Sequence, residues 1–564
     1  MRRLVFSLLL LATLGAAACL PLPSSNAPAP ATGSAEVTLP QESGTPPREE
    51  SGTPQPGGTL HYGLTLPVSG IDPHVNASSE LGIVLSSVYD TLVAQDKEGT
   101  FHPHLAESWE ISPDGRVYTF HLRSDVTFHD GTPFNAQAVV RNLQRVADPA
   151  TRSQKAIFLL GPFDHAEAVD DATVKIVLRE PYAPLLDGLS QVYLGMASPA
   201  ALDKWGDQYQ LHQVGTGPFR FVEYQDRQSL TLERNDNYRW APSIRMHQGP
   251  AYLDRVEFRF YPDAATRLPA LLSGQADVMG EMPLTDAEKI TEAPGGRIGD
   301  ASYQLFPIAV PGQSVQFFLN TSLAPLDDLS LRQAILQATD RAALVNAVFG
   351  ASSPVAAGPL SAVTHGFDKS LAGRYPFDLD AAQRLLSDAG WRDTNGDGIL
   401  EKDGKPLALK GILMAWGELP AVGTILQAQW RKAGIDLQLE PMAYPAALEA
   451  GRAGAHHLVP FVISGTDPDL LSDFFHSRNL GGFNFAKVSD PEMDAWLDAA
   501  SQEGVWSKRS ELYADVQQRV MDQAWILPIR DQVNLNAASR RVQDLNYDVQ
   551  GWFPVLYDVW LGIG

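Results

Sequence analysis

Three stretches of this sequence carry residue types that could do chemistry. His129-Asp130-Gly131 sets an imidazole beside a carboxylate, the pairing used to move protons or to hold a metal. No further His or Asp follows at a usable ligand spacing, so the stretch reads as a turn, with Asp130-Gly131 reversing the chain and Asn135 starting a helix. His102-Pro103-His104, with Glu107 three residues on, has the H-x-H spacing of metal ligands, but the intervening proline points to a surface loop. Asp393, Asn395, Asp397 and Gly398 fill positions one, three, five and six of a calcium loop whose position twelve, normally a bidentate acid, is Gly404. That leaves the cage open, and an Asx-rich turn is expected, with a weak calcium site as the alternative. Nucleophile-elbow, zincin, P-loop and S-x-x-K motifs are missing in the settings they need. Their absence lowers the odds of an enzyme without excluding one; no metal and no cofactor are expected.

The elements around these stretches begin with a leader. Met1-Arg2-Arg3, an apolar run from Leu4 to Leu14 and small residues Gly15 to Ala18 have the order of a secretory signal, too short to span a membrane. The leader ends at Cys19, the single cysteine among 564 residues, and a lone thiol makes no internal disulfide. Ala16-Ala17-Ala18-Cys19 resembles a bacterial lipobox, with Ala16 where that motif usually has leucine. Lipidation of Cys19, tethering the mature chain to a membrane, is expected; the alternative is A-x-A cleavage after Ala18, which releases a soluble protein. Residues 20–57 hold nine prolines, no aromatic residue and two copies of "ESGTP". Such a stretch buries too little apolar surface to offset its ordering entropy and reads as a disordered tether reaching roughly 35 Å.

Residues 58–564 are too many for one core and imply two or three domains. The net charge of −23 disfavours a nucleic-acid partner and suits a soluble secreted body. "GGTLHYGLTLPVSGIDPH" alternates as a strand through Leu60, Tyr62 and Leu64, then enters a Pro/Gly loop. "SWEISPDGRVYTFHLR" reads as a hairpin about Ser112 to Gly115, and residues 173–178 as a strand. A second hairpin follows at 214–240, and residues 253–278 read strand, helix, strand. In "DLSLRQAILQATDRAALVNAVFG" two helices are expected, capped by Ser330 and by Asp340 and Gly350. Helix units at 378–391 and 425–442, the second leading into a strand, complete an α/β pattern.

"HLAESWEISPDGRVYTFHLRSDVTFHDGTPFNAQAVVRNLQR" (104–145) resembles the signature segment of the bacterial extracellular solute-binding proteins of family 5, which includes oligopeptide-, dipeptide- and nickel-binding proteins of ABC importers. "GIDPH" (70–74), "VGTGPFRFVEY" (214–224), "FFLNTSLAPLDDLSLRQAILQATDR" (317–341), "AAQRLLSDAGWRDTNGDG" (381–398) and "AGIDLQLE" (433–440) recur in the family's order. The resemblance implies an α/β, two-lobed, flytrap-like fold with an extra α/β domain. The first lobe would comprise 58–90, 205–310 and 525–564, the extra domain 91–204 and the second lobe 311–524, behind a signal peptide (1–18) and a tether (19–57). It further implies a monomer that captures a small molecule or short peptide between its lobes, catalyses nothing and docks on ABC permease subunits.

Peptide binders of this family often hold the peptide's amino group on an aspartate three residues before a D-P-D turn. Here the turn is Asp467-Pro468-Asp469 and the matching residue is Ser464, which carries no charge for an ammonium; Asp467 is the nearest substitute, with a turn-capping role as its alternative. The solute is expected to touch Ser69 and Ile71 in the loop after the first strand, Ser464, Gly465 and Asp467, and Trp416, whose indole could line the cleft or fill the core. A competing reading, a secreted peptidase or glycosidase, requires two carboxylates about 5–10 Å apart in a pocket.

Overall fold

Alternation in "TLHYGL" puts Leu60, Tyr62 and Leu64 on a buried face, so Thr59–Leu64 enters the middle of a sheet. The computed structural model describes residues 52–562 except Ser69, Asp300 and Trp416. The leader, Cys19 and the tether as far as Ser51 lie outside the described residues.

Thr59–Leu64 pairs in parallel with Arg255–Phe260 on one side and Val278–Met279 on the other. The helix Arg267–Leu272 between those two partners completes the expected strand–helix–strand unit. The sheet extends to eight strands through the hairpin Phe219–Gln225/Ser229–Arg234 and through Val533–Ser539, Ala301–Ala309 and Arg297–Ile298. This is the base of the first lobe.

The extra domain is a four-stranded antiparallel sheet in the order Ala106–Ile111, Val117–Leu122, Thr173–Leu178, Phe163–Ala168. Its hairpin turns where expected, at Gly115, whose φ of 68° suits a residue without Cβ. The helix Ala136–Ala147 follows, with the Asn135 side chain accepting from Ala138 N–H at 3.0 Å. Its buried residues Val139, Leu143 and Val146 join a core continuous with that of the first lobe.

The second lobe is a five-stranded mixed sheet in the order Asp436–Met442, Ala408–Met414, Leu458–Phe461, Val315–Leu319, Ile526–Arg530. It has its own core, with Phe318, Phe474, Phe475 and Phe485 packed ring against ring and Trp430 donating to Thr339 Oγ1 at 2.9 Å. Asp340 and Gly350 cap Arg341–Phe349 as expected. The preceding helix, Leu329–Gln337, is capped by Asp328 instead of Ser330: the Asp328 carboxylate accepts Ser330 N–H at 2.8 Å, and the helix starts a residue before the serine.

The chain passes between the two large sheets at residues 310–314 and 531–532, and the passages are tied together by Val310 N–H donating to Gln532 O at 2.9 Å. Ile526–Arg530 thus pairs in the second sheet, and only from Val533 does the chain rejoin the first. Residues 525–532 were expected in the first lobe. Antiparallel pairing with Val315–Leu319, more than two hundred positions away, sets the return point, and no local signal marks it.

Candidate functional site

Ser464, Gly465 and Asp467 follow the second-lobe strand Leu458–Phe461 and lie against the first passage between the lobes. Ser464 bridges to Gly312, Gln313 N–H donates to Ile463 O at 2.9 Å, and Gly465 N–H to Pro311 O at 3.1 Å. Asp467 is held by Arg509 through two bonds of 2.6 and 2.7 Å, while its Oδ1 accepts Asp469 N–H at 2.8 Å. Its charge is spent on an arginine and a turn. The loop after the first strand is pinned in the same way: Arg145 grips Asp72 at 2.6 and 2.9 Å. Ile71, 1% exposed, buries its side chain in the first core. Ser69 and Trp416 lie outside the described residues.

One residue beyond Gly465, the three parts of the molecule meet on a single hydroxyl. Thr466 Oγ1 donates to Asp187 Oδ1 on the extra-domain helix Leu185–Ser190 and accepts from Gln550 Nε2 at 3.2 Å, in the C-terminal segment. Gln191 Nε2 donates to the other Asp187 oxygen at 2.8 Å. Burial, with the nearby Asp467 charge, pushes the Asp187 carboxyl up to about 6. Lys155 places its ammonium 4.3 Å from the centre of the Tyr193 ring, and burial brings its pKa down to about 8 against the pull of Asp187 and Asp548. Burial likewise raises Asp548 to about 7.

Two cavities flank this junction and share Gln95 and Val549. One, of about 250 Å³, is lined by Lys97, Ala362, His365, Phe367 and Thr466 among others. The other, of about 100 Å³, is lined by Tyr89, Arg245, Asp548, Gln550 and Phe553 among others. Acceptors, an ammonium and aromatic faces around the junction suit a solute with both charged and apolar parts. Sequence reasoning missed Asp187, Lys155, Asp548 and Gln550. The one available signal was a charged residue inside the apolar run "PLLDGL".

Of the three stretches singled out for chemistry, one reaches this junction: His104 lines the smaller cavity. His129 donates from Nε2 to Gly217 O at 2.9 Å and accepts Gly215 N–H on Nδ1 at 3.3 Å, and burial lowers its pKa to about 4. Asp130 accepts from Thr132 and Ser198, so the pair is scaffold, as expected. His102 and His104 face different carboxylates, Asp96 at 2.6 Å and Asp90 at 3.2 Å, and do not converge. In the Asx-rich turn, Asp393, Asp397 and Glu401 each bring a carboxylate oxygen within 4.8 Å of the others. Glu401, at position nine of the loop, closes the ring that Gly404 cannot. Its oxygens already accept from Thr394 N–H, Thr394 Oγ1 and Asn395 Nδ2, each at 2.8 Å.

Among the described residues, no helix is long and apolar enough to cross a membrane. The family model described as bacterial extracellular solute-binding proteins, family 5 Middle, matches residues 100–482. Haem-binding protein A of Haemophilus influenzae is 32% identical over 517 residues, covering 86% of this chain and 87% of that protein. Glutathione-binding protein GsiB of Pectobacterium atrosepticum is 29% identical, covering 81% and 86%. The crystal structure of NikA from Brucella suis in complex with Fe(III)-EDTA superposes with a TM-score of 0.78 at 25% identity, covering 89% of this chain and all of that one. With two thirds of its length inside the family model and a relative above 30% identity across most of both chains, the chain belongs to the bacterial extracellular solute-binding proteins of family 5.

Proposed function

We propose that this protein is the extracytoplasmic solute-binding component of an ABC importer, holding a peptide-like solute between its lobes for delivery to membrane permease subunits. The observation that carries the reading is the hydrogen-bond chain Asp187–Thr466–Gln550, which joins three parts of the molecule beside two cavities. A solute lodged there touches all three at once and favours the arrangement in which they meet. It shifts the lobe equilibrium only by its preference for that arrangement. The protein performs no reaction on its solute.

A peptide-like solute is favoured by the mixture of carboxylates, ammonium and aromatic faces at the junction and by the relative that binds glutathione. Because Asp467 is spent on Arg509, the solute's ammonium, if it has one, is met by Asp187 or Asp548. Ser464 and Gly465, the loop holding Ser69 and the main chain of Ile71, and Trp416 complete the proposed contact surface. In domain terms, the passages at 310–314 and 531–532 separate a first lobe (58–90, 205–310, 533–564) with its extra domain (91–204) from a second lobe (311–532). The mature chain is proposed to be a monomer tethered through lipidated Cys19 and the segment behind it. The second reading, a haem or metal chelate, is favoured by the relative that binds haem.

Native mass spectrometry of the purified protein separates these readings. A ladder of peptide masses supports the first and a chelate mass the second. Loss of all co-purified mass together with turnover of a peptide or glycoside substrate would refute both.

A further inference from the structure

Arg530 closes the last strand of the second sheet, one residue before the chain passes between the lobes. Its guanidinium carbon lies 3.9 Å from the centre of the Phe349 ring, and Nη1 donates to Ser353 Oγ at 3.1 Å. Among the described residues, Nε is enclosed without a partner and no carboxylate forms an ion pair with the guanidinium. Asp531, its neighbour just past the strand end, is the nearest counter-charge but makes no bond to it, and instead accepts Ala362 N–H at 3.0 Å. Glu418 is near enough to be felt but makes no bond.

The other enclosed arginines show how unusual this is. Arg145 and Arg509 grip Asp72 and Asp467 in two-pronged pairs. Arg332 donates to two main-chain carbonyls and Arg341 to three. A guanidinium taken from water with one neutral hydrogen bond is costly unless a counter-charge arrives. Its surroundings face the opposite lobe: a Cβ added at Gly350, beside Phe349, would come within 2.9 Å of Leu284 in the first lobe. Val355, which bridges to Arg530, keeps 41% of its surface exposed. The result is one desolvated cation with an apolar neighbour on the cleft wall.

We propose that Arg530 anchors a carboxylate of the captured solute, its planar fork accepting a two-pronged pair of the kind Asp467 makes with Arg509. This rests on the reading that the solute is held between the lobes. The test uses wild type, R530Q and R530K, each shown to be folded by circular dichroism. Two probes are titrated: a random library of di- to pentapeptides, as free acids and as C-terminal amides, and the simple carboxylates succinate and citrate. Wild type should bind the free acids roughly tenfold or more tightly than the amides. R530Q should lose that preference, and R530K should keep part of it.

If no peptide binds but succinate or citrate does, with loss in R530Q, the anchor stands and the peptide reading fails. If acids and amides bind alike and R530Q changes nothing, the anchor is overturned and the peptide reading stands. If no carboxylate probe shows affinity that depends on Arg530, the proposal is wrong. Should R530Q fail to fold, R530K and the acid–amide comparison on wild type decide.

Discussion

Replacing Arg509 by methionine tests whether the Asp467–Arg509 pair holds the binding segment in place. The Arg509 side chain is 6% exposed and that of Asp467 15%, so the pair sits largely out of water. Arg509 also donates from Nε to Ala500 O at 2.9 Å, and Tyr513 joins the cluster by donating to Asp469 at 2.9 Å. Methionine replaces the apolar stem but strands Asp467 beside Asp469 and within reach of Asp187. Removing one partner of a buried ion pair costs about 3–5 kcal/mol. With a urea dependence of roughly 3 kcal/mol/M for a lobe of this size, the unfolding midpoint should fall by about 1–1.7 M at neutral pH. The double variant D467L/R509M, which removes both charges, should recover much of the loss. A midpoint change below about 0.3 M in R509M, or a double variant no better than the single one, would refute the argument.

Three further outcomes are expected. T466V removes the hydroxyl on which three parts meet and should weaken binding of the co-purified solute about tenfold by calorimetry; unchanged affinity would place the solute elsewhere. Asp187 and Asp531 have folded pKa values of about 6 and about 7, above the ordinary carboxyl range. Their protonated forms therefore stabilise the fold fully below about pH 4, and that stability is lost as pH rises through 6 and 7; the melting temperature should fall between about pH 5 and pH 8, and D531N should flatten the slope. C19S should move the protein from the membrane fraction to the soluble fraction; a wild type already soluble would end the tether idea.

Local features were legible because their causes are local. Asn135 and Asp340 cap helices with their own side chains, Gly115 turns a hairpin, and Leu60, Tyr62 and Leu64 alternate into a core. Even here, Asp328 and Ser330 compete for one cap, and the carboxylate wins by accepting the serine's own N–H. What the sequence hid is long-range. Asp187 and Thr466 are 279 positions apart, Thr466 and Gln550 84 apart, and neither pair belongs to a motif. The family resemblance pointed to the segment Ser464 to Asp467, but not to the hydroxyl between Gly465 and Asp467. Ile71 looked available because it sits in a loop, yet its side chain turns into the core.

Gly312 lies in the first passage between the lobes with φ at 126°, and a Cβ there would come 2.7 Å from Ser464 Cα. Thr364 Oγ1 accepts its N–H at 2.8 Å and donates to its carbonyl at 2.9 Å. Gly312 is thus laced to Ser464, two residues before Thr466. If the lobes turn at this passage and the solute sits at Thr466, as proposed, no slack joint separates pivot from fingertip, and angular travel at Gly312 is delivered to the hydroxyl as displacement. Reciprocally, cargo gripped at Thr466 brakes the pivot. A permease that senses only how far the jaws have swung can thereby tell a loaded carrier from an empty one.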